Sequence, residues 1–238
     1  MKVAVIMPCL NEEKNLPLVV AEIPKKSELT NVEKISIIVV DNGSEDSSKK
    51  VAESLPVVSI SERQMGYGSA CLRGLEYVAQ NLPNTDIIVF LDSDHSDNPK
   101  DLLSILDPIA KQNSDFVIGS RTLKNNPREA LKFAQRYGNW LTCTLIWILF
   151  QKKFTDLGPF RAIKYQSLLK LKMEDRGFGW NVEMQVKALK LGFKITEVPV
   201  SYKLRSFGYS KISGNLKTSF VAGKIILGTL WKLKNWKP

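Results

Sequence analysis

The sequence holds a single histidine, His95, and three cysteines, Cys9, Cys71 and Cys143. A lone imidazole excludes a histidine-built zinc site, and any Ser-His-Asp triad would have to use that one ring. Three cysteines without paired spacing offer neither a disulfide framework nor a zinc cluster, which makes a reducing compartment the default. Linker-like Pro/Gly/Ser stretches, low-complexity tracts and internal repeats are also lacking, so one large α/β domain is the simplest organisation for 238 residues. The apolar start at 3–7 is too short for a signal peptide, because Pro8, Glu12 and Glu13 follow at once. A cytoplasmic chain is expected.

Long hydrophobic runs are missing too. No stretch reaches the roughly 18–20 uninterrupted apolar residues of a spanning helix. Residues 140–150 (WLTCTLIWILF) are dense but short, and 219–231 (SFVAGKIILGTLW) are interrupted by Lys224. Both suit core helices or an interfacial position near a bilayer, and the basic amphipathic character of the second favours a membrane's surface over its interior. A peripheral place on the inner face of the cell membrane is therefore compatible with the sequence.

Charge is abundant and uneven. The formal net charge is +10, with carboxylates concentrated in the first half and lysines crowding the end (Lys232, Lys234, Lys237). Phosphates, nucleic acid and anionic lipid would all suit that balance.

Strand and helix signals alternate through the first half. Apolar runs at 3–7, 35–40, 57–60 and 86–91 read as strands, and 12–22, 43–54 and 67–81 as helices, the first with Asn11 as its N-cap. Pro99 is expected to be the first residue of a further helix. The second half is less regular, with helices expected around 128–150, 165–171 and 180–190 and strands near 159–163 and 193–201. Continuous β-branched runs between helices predict a mostly parallel, Rossmann-like central sheet flanked by helices, with further helices at the C-terminus. In such sheets ligands bind off the carboxyl ends of the strands. Asn11 and Glu12, Asp41, and Asp92 with Asp94 all follow strand ends, so they should meet along one edge.

Asp92-Ser93-Asp94 directly after an apolar strand is a site for a hard cation, Mg2+ or Mn2+, that also holds phosphate oxygens. The plain alternative is an acidic turn. Asp41-Asn42-Gly43-Ser44 reads either as a turn capping a helix or as a turn whose Asp41 accepts hydrogen bonds from a base or ribose. Gly66-Tyr67-Gly68 resembles a phosphate-cradling loop but lacks both the Walker lysine and the dinucleotide fingerprint.

In order along the chain stand MPCLNEE at 7–13, VDNGSEDSS at 40–48, GYGSACLRG at 66–74, LDSDHSDNP at 91–99 and GSR at 119–121. Together they resemble the inverting family-2 glycosyltransferases of the GT-A fold. DLGPFR at 156–161, EVPV at 197–200, and Arg205 followed by Ser210-Lys211 resemble the polyprenyl-phosphate subgroup, of the dolichyl-phosphate mannose or glucose synthase type. The resemblance implies a GT-A domain over residues 1–215, followed by a basic amphipathic segment at 216–238. It implies that Pro8, Leu10, Glu12 and Asp41 surround the donor nucleotide, with Ser93 by the ribose. Asp92 and Asp94 would engage the metal and diphosphate, while Arg121, Arg205 and Lys211 would carry phosphate charge. Ser96 stands where the mannose-synthase type has a metal-ligating glutamine, a shorter ligand for which Asp97 would compensate, directly or through water. The QxxRW element of processive polysaccharide synthases is absent.

The implied reaction is a single inverting displacement on a nucleotide-sugar, of the UDP-glucose or GDP-mannose type, with Asp94 and Arg121 at the reacting diphosphate. Polyprenyl phosphate is the leading acceptor, and it needs no general base. A sugar or metabolite hydroxyl would need one, for which Asp156 is the first candidate and Glu183 the second. His95 beside the metal loop, and Phe178 and Trp180 in GFGW, have core or loop packing as the plainer reading. A nucleotidyltransferase would carry a glycine-rich basic loop after the first strand, where this chain has Pro-Cys-Leu-Asn-Glu-Glu. A nucleic-acid or membrane module without chemistry would not gather carboxylates at several strand ends, and no nucleic-acid partner is expected.

Overall fold

The computed structural model describes residues 1–127, 130–131, 133–208 and 216–237, with the side chains of 216–220 and 222 excepted. Its centre is a seven-stranded sheet in the order β3-β2-β1-β4-β6-β5-β7. These strands are β1 (Lys2–Cys9), β2 (Lys34–Asp41), β3 (Val58–Ser61), β4 (Ile87–Phe90), β5 (Phe116–Ser120), β6 (Arg161–Lys164) and β7 (Ile195–Pro199). Val3 to Met7 of β1 are all buried, as a strand covered on both faces requires. Ala4, Ile6, Ile88 and Phe90 face one core, shared with α3 (Tyr67–Asn81), α5 (Phe133–Phe150), α6 (Tyr165–Leu171), α7 (Trp180–Lys190) and α8 (Leu216–Lys234). Val3, Val5, Met7 and Val89 face the other, shared with α1 (Leu16–Glu22), α2 (Ser48–Ser54) and α4 (Leu102–Gln112).

Register decides where the site lies. Cys9 stands opposite Asp41, and Ile6 opposite Phe90, so the segments leaving β1, β2 and β4 emerge along one edge. β6 alone runs antiparallel, pairing Arg161 with both Phe90 and Ile118. Its inversion brings the turn that precedes it, at 156–160, onto that same edge.

Local differences from the sequence reading have physical causes. The first helix starts at Leu16 rather than at residue 12, with Pro17 in its first turn. A helix from 12 would have placed Pro17 inside it, where the ring removes one hydrogen bond and clashes with the carbonyl four residues back. Asn11 is not its N-cap: it has φ of 52°, and its side-chain oxygen accepts from the Glu45 N–H at 2.7 Å. The second helix likewise begins at Ser48, because 43–47 form a turn tied to the first loop: the Ser48 hydroxyl accepts from Glu12 N–H at 2.7 Å and Asp46 accepts from Glu13 N–H at 3.2 Å. Pro99 opens a short 3₁₀ turn, Pro99–Asp101, ahead of α4. Strand β5 was not anticipated.

Candidate active site

The loop after β4 carries the densest group of acids. Asp92 is half-buried, but its Oδ1 is shielded from solvent and finds no hydrogen-bond partner, nor does the neighbouring Tyr67 hydroxyl. Asp97 is also buried, with neither carboxylate oxygen partnered. Burial pushes both carboxyls upward, Asp92 further through the charge of Asp94 and Asp97 through that of Asp92. Asp94 is better served. Its Oδ1 accepts from the Ser96 N–H at 2.8 Å and from the Ser96 hydroxyl, and its Oδ2 meets Arg205 at 2.5 Å. Ser96 is thus turned onto Asp94, and the oxygens left without a partner belong to Asp92 and Asp97.

These acids fit a divalent cation. Unpaired buried carboxylates carry a large desolvation cost that a hard cation with oxygen ligands removes. Among the described residues no group of three or more His, Cys, Asp or Glu could hold a metal ion by itself. An open site of one or two carboxylates, completed by phosphate oxygens and water, is the usual habit of Mg2+.

Arg205 joins the two loops. One nitrogen lies 2.9 Å from Glu12 Oε1 and another 2.5 Å from Asp94 Oδ2. Glu12 is held in turn by Asn15, whose amide donates to Oε2 at 2.7 Å and whose side chain also pins both polar groups of the Phe207 backbone. The segment around Arg205 lies along the loop after β4 through Lys203 N–H to Ser96 carbonyl, 2.9 Å, and through His95, whose ring faces Ser206 at 2.8 Å, Lys203 at 3.0 Å and Glu22 at 3.2 Å. His95 therefore clips two segments together. Lys211 lies outside the described residues.

Asp156 and Arg121 form a buried fork. Arg121 Nε and backbone N–H both donate to Asp156 Oδ2 at 2.8 Å, and Nη2 to Oδ1 at 2.7 Å, an oxygen that also accepts from Leu157 N–H. Both carboxylate oxygens are engaged, which leaves Asp156 without an oxygen turned toward an acceptor hydroxyl. The turn itself is stapled by wholly buried Arg161, which donates to the Leu157, Gly158 and Asn181 carbonyls and whose own pKa burial lowers to about 10. Glu183 is engaged as well. It is buried against Lys187 at 2.7 Å and accepts from the N–H groups of Glu174 and Asp175. Both carboxylates are thus held by cationic side chains and backbone N–H groups in this structure.

On the β1–β2 side, the Ser93 hydroxyl donates to the Pro8 carbonyl at 2.7 Å, tying β4's loop to β1. Buried Asp41 accepts from Ser44 N–H at 3.3 Å, and Leu10 is half-buried beyond Pro8. Asn42, which the sequence reading left inside a turn, donates to the Glu62 and Gln64 carbonyls and accepts from Gly66 N–H. An amide directly after a strand end is the signal that could have singled it out. Asn126 and Tyr202 gave no such signal. Asn126 bonds to the Arg121 and Val200 carbonyls and to Tyr202 N–H, and the Tyr202 ring lies 5.0 Å from the Arg121 guanidinium.

Gly66 and Gly68 pack closely against the backbone of Asp175 and Arg176. A Cβ at Gly66 would fall 2.1 Å from the Arg176 carbonyl oxygen, and one at Gly68 2.0 Å from that of Asp175. Ser69 N–H, in the first turn of α3, donates to the Arg176 carbonyl at 3.1 Å. Trp180 is wholly buried, edge-on to Phe90 at 5.7 Å, so it belongs to the core.

Aspartates at the carboxyl ends of β2 and β4, with arginine forks across the same edge of a mostly parallel sheet, are the arrangement of a GT-A-type fold. Residues 4–178 match the sequence model of glycosyl transferase family 2, and the chain belongs to that family. An uncharacterized glycosyltransferase of Mycobacterium tuberculosis is 33% identical over 225 residues, 92% of this chain and 94% of its own length. Undecaprenyl-phosphate mannosyltransferase of Micrococcus luteus is 27% identical over 243 residues, 98% and 95% of the two chains. Among solved structures, glucosyl-3-phosphoglycerate synthase of Mycobacterium tuberculosis, in complex with Mn2+, uridine diphosphate and phosphoglyceric acid, superposes with a TM-score of 0.74. That match covers 100% of this chain and 79% of the other at 20% identity, and it shows the shared fold. The chain is a glycosyltransferase.

Proposed function

We propose that the chain transfers a hexose from a nucleoside-diphosphate sugar to polyprenyl phosphate, inverting the anomeric carbon, with Mg2+ or Mn2+ at Asp92 and Asp94. One observation carries the reading: the unpartnered buried oxygens of Asp92 and Asp97 at the strand ends, beside Asp94 and Arg205. Carboxylates so placed repel a diphosphate unless a cation stands between them. Asp92 and Asp94 would hold it, with Asp97 and Ser96 behind them. When bound, the cation supplies counter-charge to the departing nucleoside diphosphate. The Mn2+ and uridine diphosphate held by the solved relative support both a divalent cation and a nucleotide donor.

The chain's own groups divide the remaining work. Asp41 accepts from the base or ribose, Pro8 and Leu10 flank the nucleotide, and Ser93 fixes the ribose side by its bond to Pro8. Glu12 orients Arg205. Arg205, Lys211, and Arg121 as oriented by Asp156 meet phosphate charge, for which a guanidinium fork is well shaped. A phosphate acceptor is already anionic at neutral pH and attacks without a base. That agrees with the engagement of both Asp156 and Glu183, and the Micrococcus luteus relative's name supports a lipid phosphate. The enzyme would work on the cytoplasmic face of the cell membrane. Among the described residues no helix is long and apolar enough to cross it.

The test is sugar transfer from a panel of UDP- and GDP-sugars with Mn2+ or Mg2+, with and without a short-chain polyprenyl phosphate. Turnover stimulated by the lipid phosphate and lost in Asp94→Ala is expected. Turnover indifferent to it would shift the acceptor to a hydroxyl, and no turnover or metal-dependent binding of any donor would overturn the donor reading.

A further inference from the structure

The outward side of α5 carries an aromatic stripe that no part of the described chain covers. Phe133, Tyr137, Trp140, Trp147 and Ile148 recur at helical spacing and are all exposed, Phe133 by 83% and Trp140 by 60%. The rings are ordered against one another: Phe133 stacks on Tyr137 with centroids 6.4 Å apart, and Tyr137 lies 5.9 Å from Trp140. Large exposed apolar patches on a folded chain mark interaction sites. The opposite side of the helix is committed to the fold. Cys143 and Ile146 are buried, and Asn139 bonds to the Thr155 carbonyl at 3.2 Å and accepts from Leu157 N–H at 2.9 Å. Thus the helix rests on the very turn that carries Asp156, with its aromatic side turned away.

The charged side chains described along α5 and just after it are cationic. No Asp or Glu occurs between Glu129 and Asp156, whereas Arg136, Lys152 and Lys153 are exposed, and the Lys153 ammonium lies 4.6 Å from the Trp147 ring. A second segment repeats the pattern. No acid follows Glu197, and on α8 Trp231 is 69% exposed with Lys234 5.3 Å from its ring. A self-pairing face must meet its own copy, and the exposed cations described beside the stripe repel that copy. Tryptophan and tyrosine edged by lysine suit a different surface, the headgroup level of a bilayer with anionic lipid.

We propose that the aromatic face of α5 docks the enzyme onto an anionic lipid bilayer, lying in its interface with Trp140 and Trp147 inserted and Lys152 and Lys153 at the headgroups. The purpose of this docking rests on the proposed lipid-phosphate acceptor, since it would bring the Arg121–Asp156 turn to the membrane surface. Its geometry does not depend on that acceptor.

The experiment is flotation of the full chain with vesicles of phosphatidylcholine, alone or mixed with phosphatidylglycerol, without sugar donor or polyprenyl phosphate. Binding to the anionic vesicles and its loss at high salt are expected, together with a blue shift of tryptophan emission. Trp140→Ser with Trp147→Ser should weaken binding at least about tenfold, and Lys152→Gln or Lys153→Gln about fivefold each. Circular dichroism should match the parent, because these side chains are exposed. Equal or absent binding to both vesicle types overturns the proposal, as does unchanged binding by the tryptophan variant. A dimer in light scattering that the tryptophan variant splits would also overturn it and assign the face to a second copy. Vesicle binding without transfer to polyprenyl phosphate would keep this surface and overturn the acceptor. Transfer to a short-chain polyprenyl phosphate without vesicle binding would do the reverse.

Discussion

Arg205 and Asp94 meet at 2.5 Å, so the arginine stands on one of the two aspartates proposed to hold the metal. Its other nitrogen is 2.9 Å from Glu12, which gives the guanidinium a resting place 193 residues away in sequence. Cation and arginine then compete for Asp94 before the donor binds and cooperate on the diphosphate afterwards. Arg205→Gln should therefore strengthen Mn2+ binding without donor while lowering kcat/KM about a hundredfold. Mn2+ titration by electron paramagnetic resonance and steady-state transfer read the two effects separately. Weaker metal binding in the variant would refute the competition.

The carboxyl of Asp92 leads to a pH dependence. Burial and the Asp94 charge raise its carboxyl from 3.8 to about 7. Between those values the folded, metal-free chain keeps a proton that the unfolded chain has released. The group's contribution is therefore full below the lower value and is lost as pH rises through the upper one. Thermal denaturation without metal should show the parent losing stability against Asp92→Asn across that window. Mn2+ should restore the parent and not the variant. Parallel curves for the two proteins would refute the prediction.

Asp156 is predicted to act through Arg121. Asp156→Ala leaves a buried guanidinium without its partner and should cost about 3–5 kcal/mol in denaturant unfolding. Asp156→Asn should lower kcat while the shape of its pH profile stays unchanged, since no proton is taken by this carboxylate. Loss of an ionisation from the profile would restore it as a base.

Gly68→Ala tests what the glycine turn holds. A methyl group there meets the Asp175 carbonyl at 2.0 Å, and overpacking of this kind costs about 1–3 kcal/mol. A lower melting temperature is expected. A raised KM for the donor with stability unchanged would instead mean that phosphate sits against the turn.

Much of the parallel sheet was legible because β1, β2 and β4 are runs of β-branched and apolar residues, buried on both faces, which local pattern reports well. β5 was not. Its five residues include Gly119 and Ser120, and its place is set by pairing with β6 and β7 rather than by its own periodicity. The first helix was begun too early because Asn11 looks like a cap, while Pro17 marks the true start. The convergence of Glu12, Asp41, Asp92 and Asp94 followed from strand ends alone. The partners of these groups did not. The Arg121–Asp156 fork spans 35 residues and the Ser93–Pro8 bond 85, and no local signal encodes such pairings. Whether a buried carboxylate ends up free, like Asp97, or locked, like Asp156, is decided by packing.

The reversed direction of β6 has a consequence for how specificity can be rewritten. The parallel strands β1, β2 and β4 present the groups proposed for the nucleotide and metal, whereas the segments around β5, β6 and β7 present Arg121, Asp156 and the turn beneath α5. Within the sheet the two sets meet along the β4–β6 pairing, Ile87–Phe90 against Arg161–Lys164. A chimera that keeps residues 1–101 and exchanges the later loops for those of a relative should therefore retain its donor preference and inherit a new recipient.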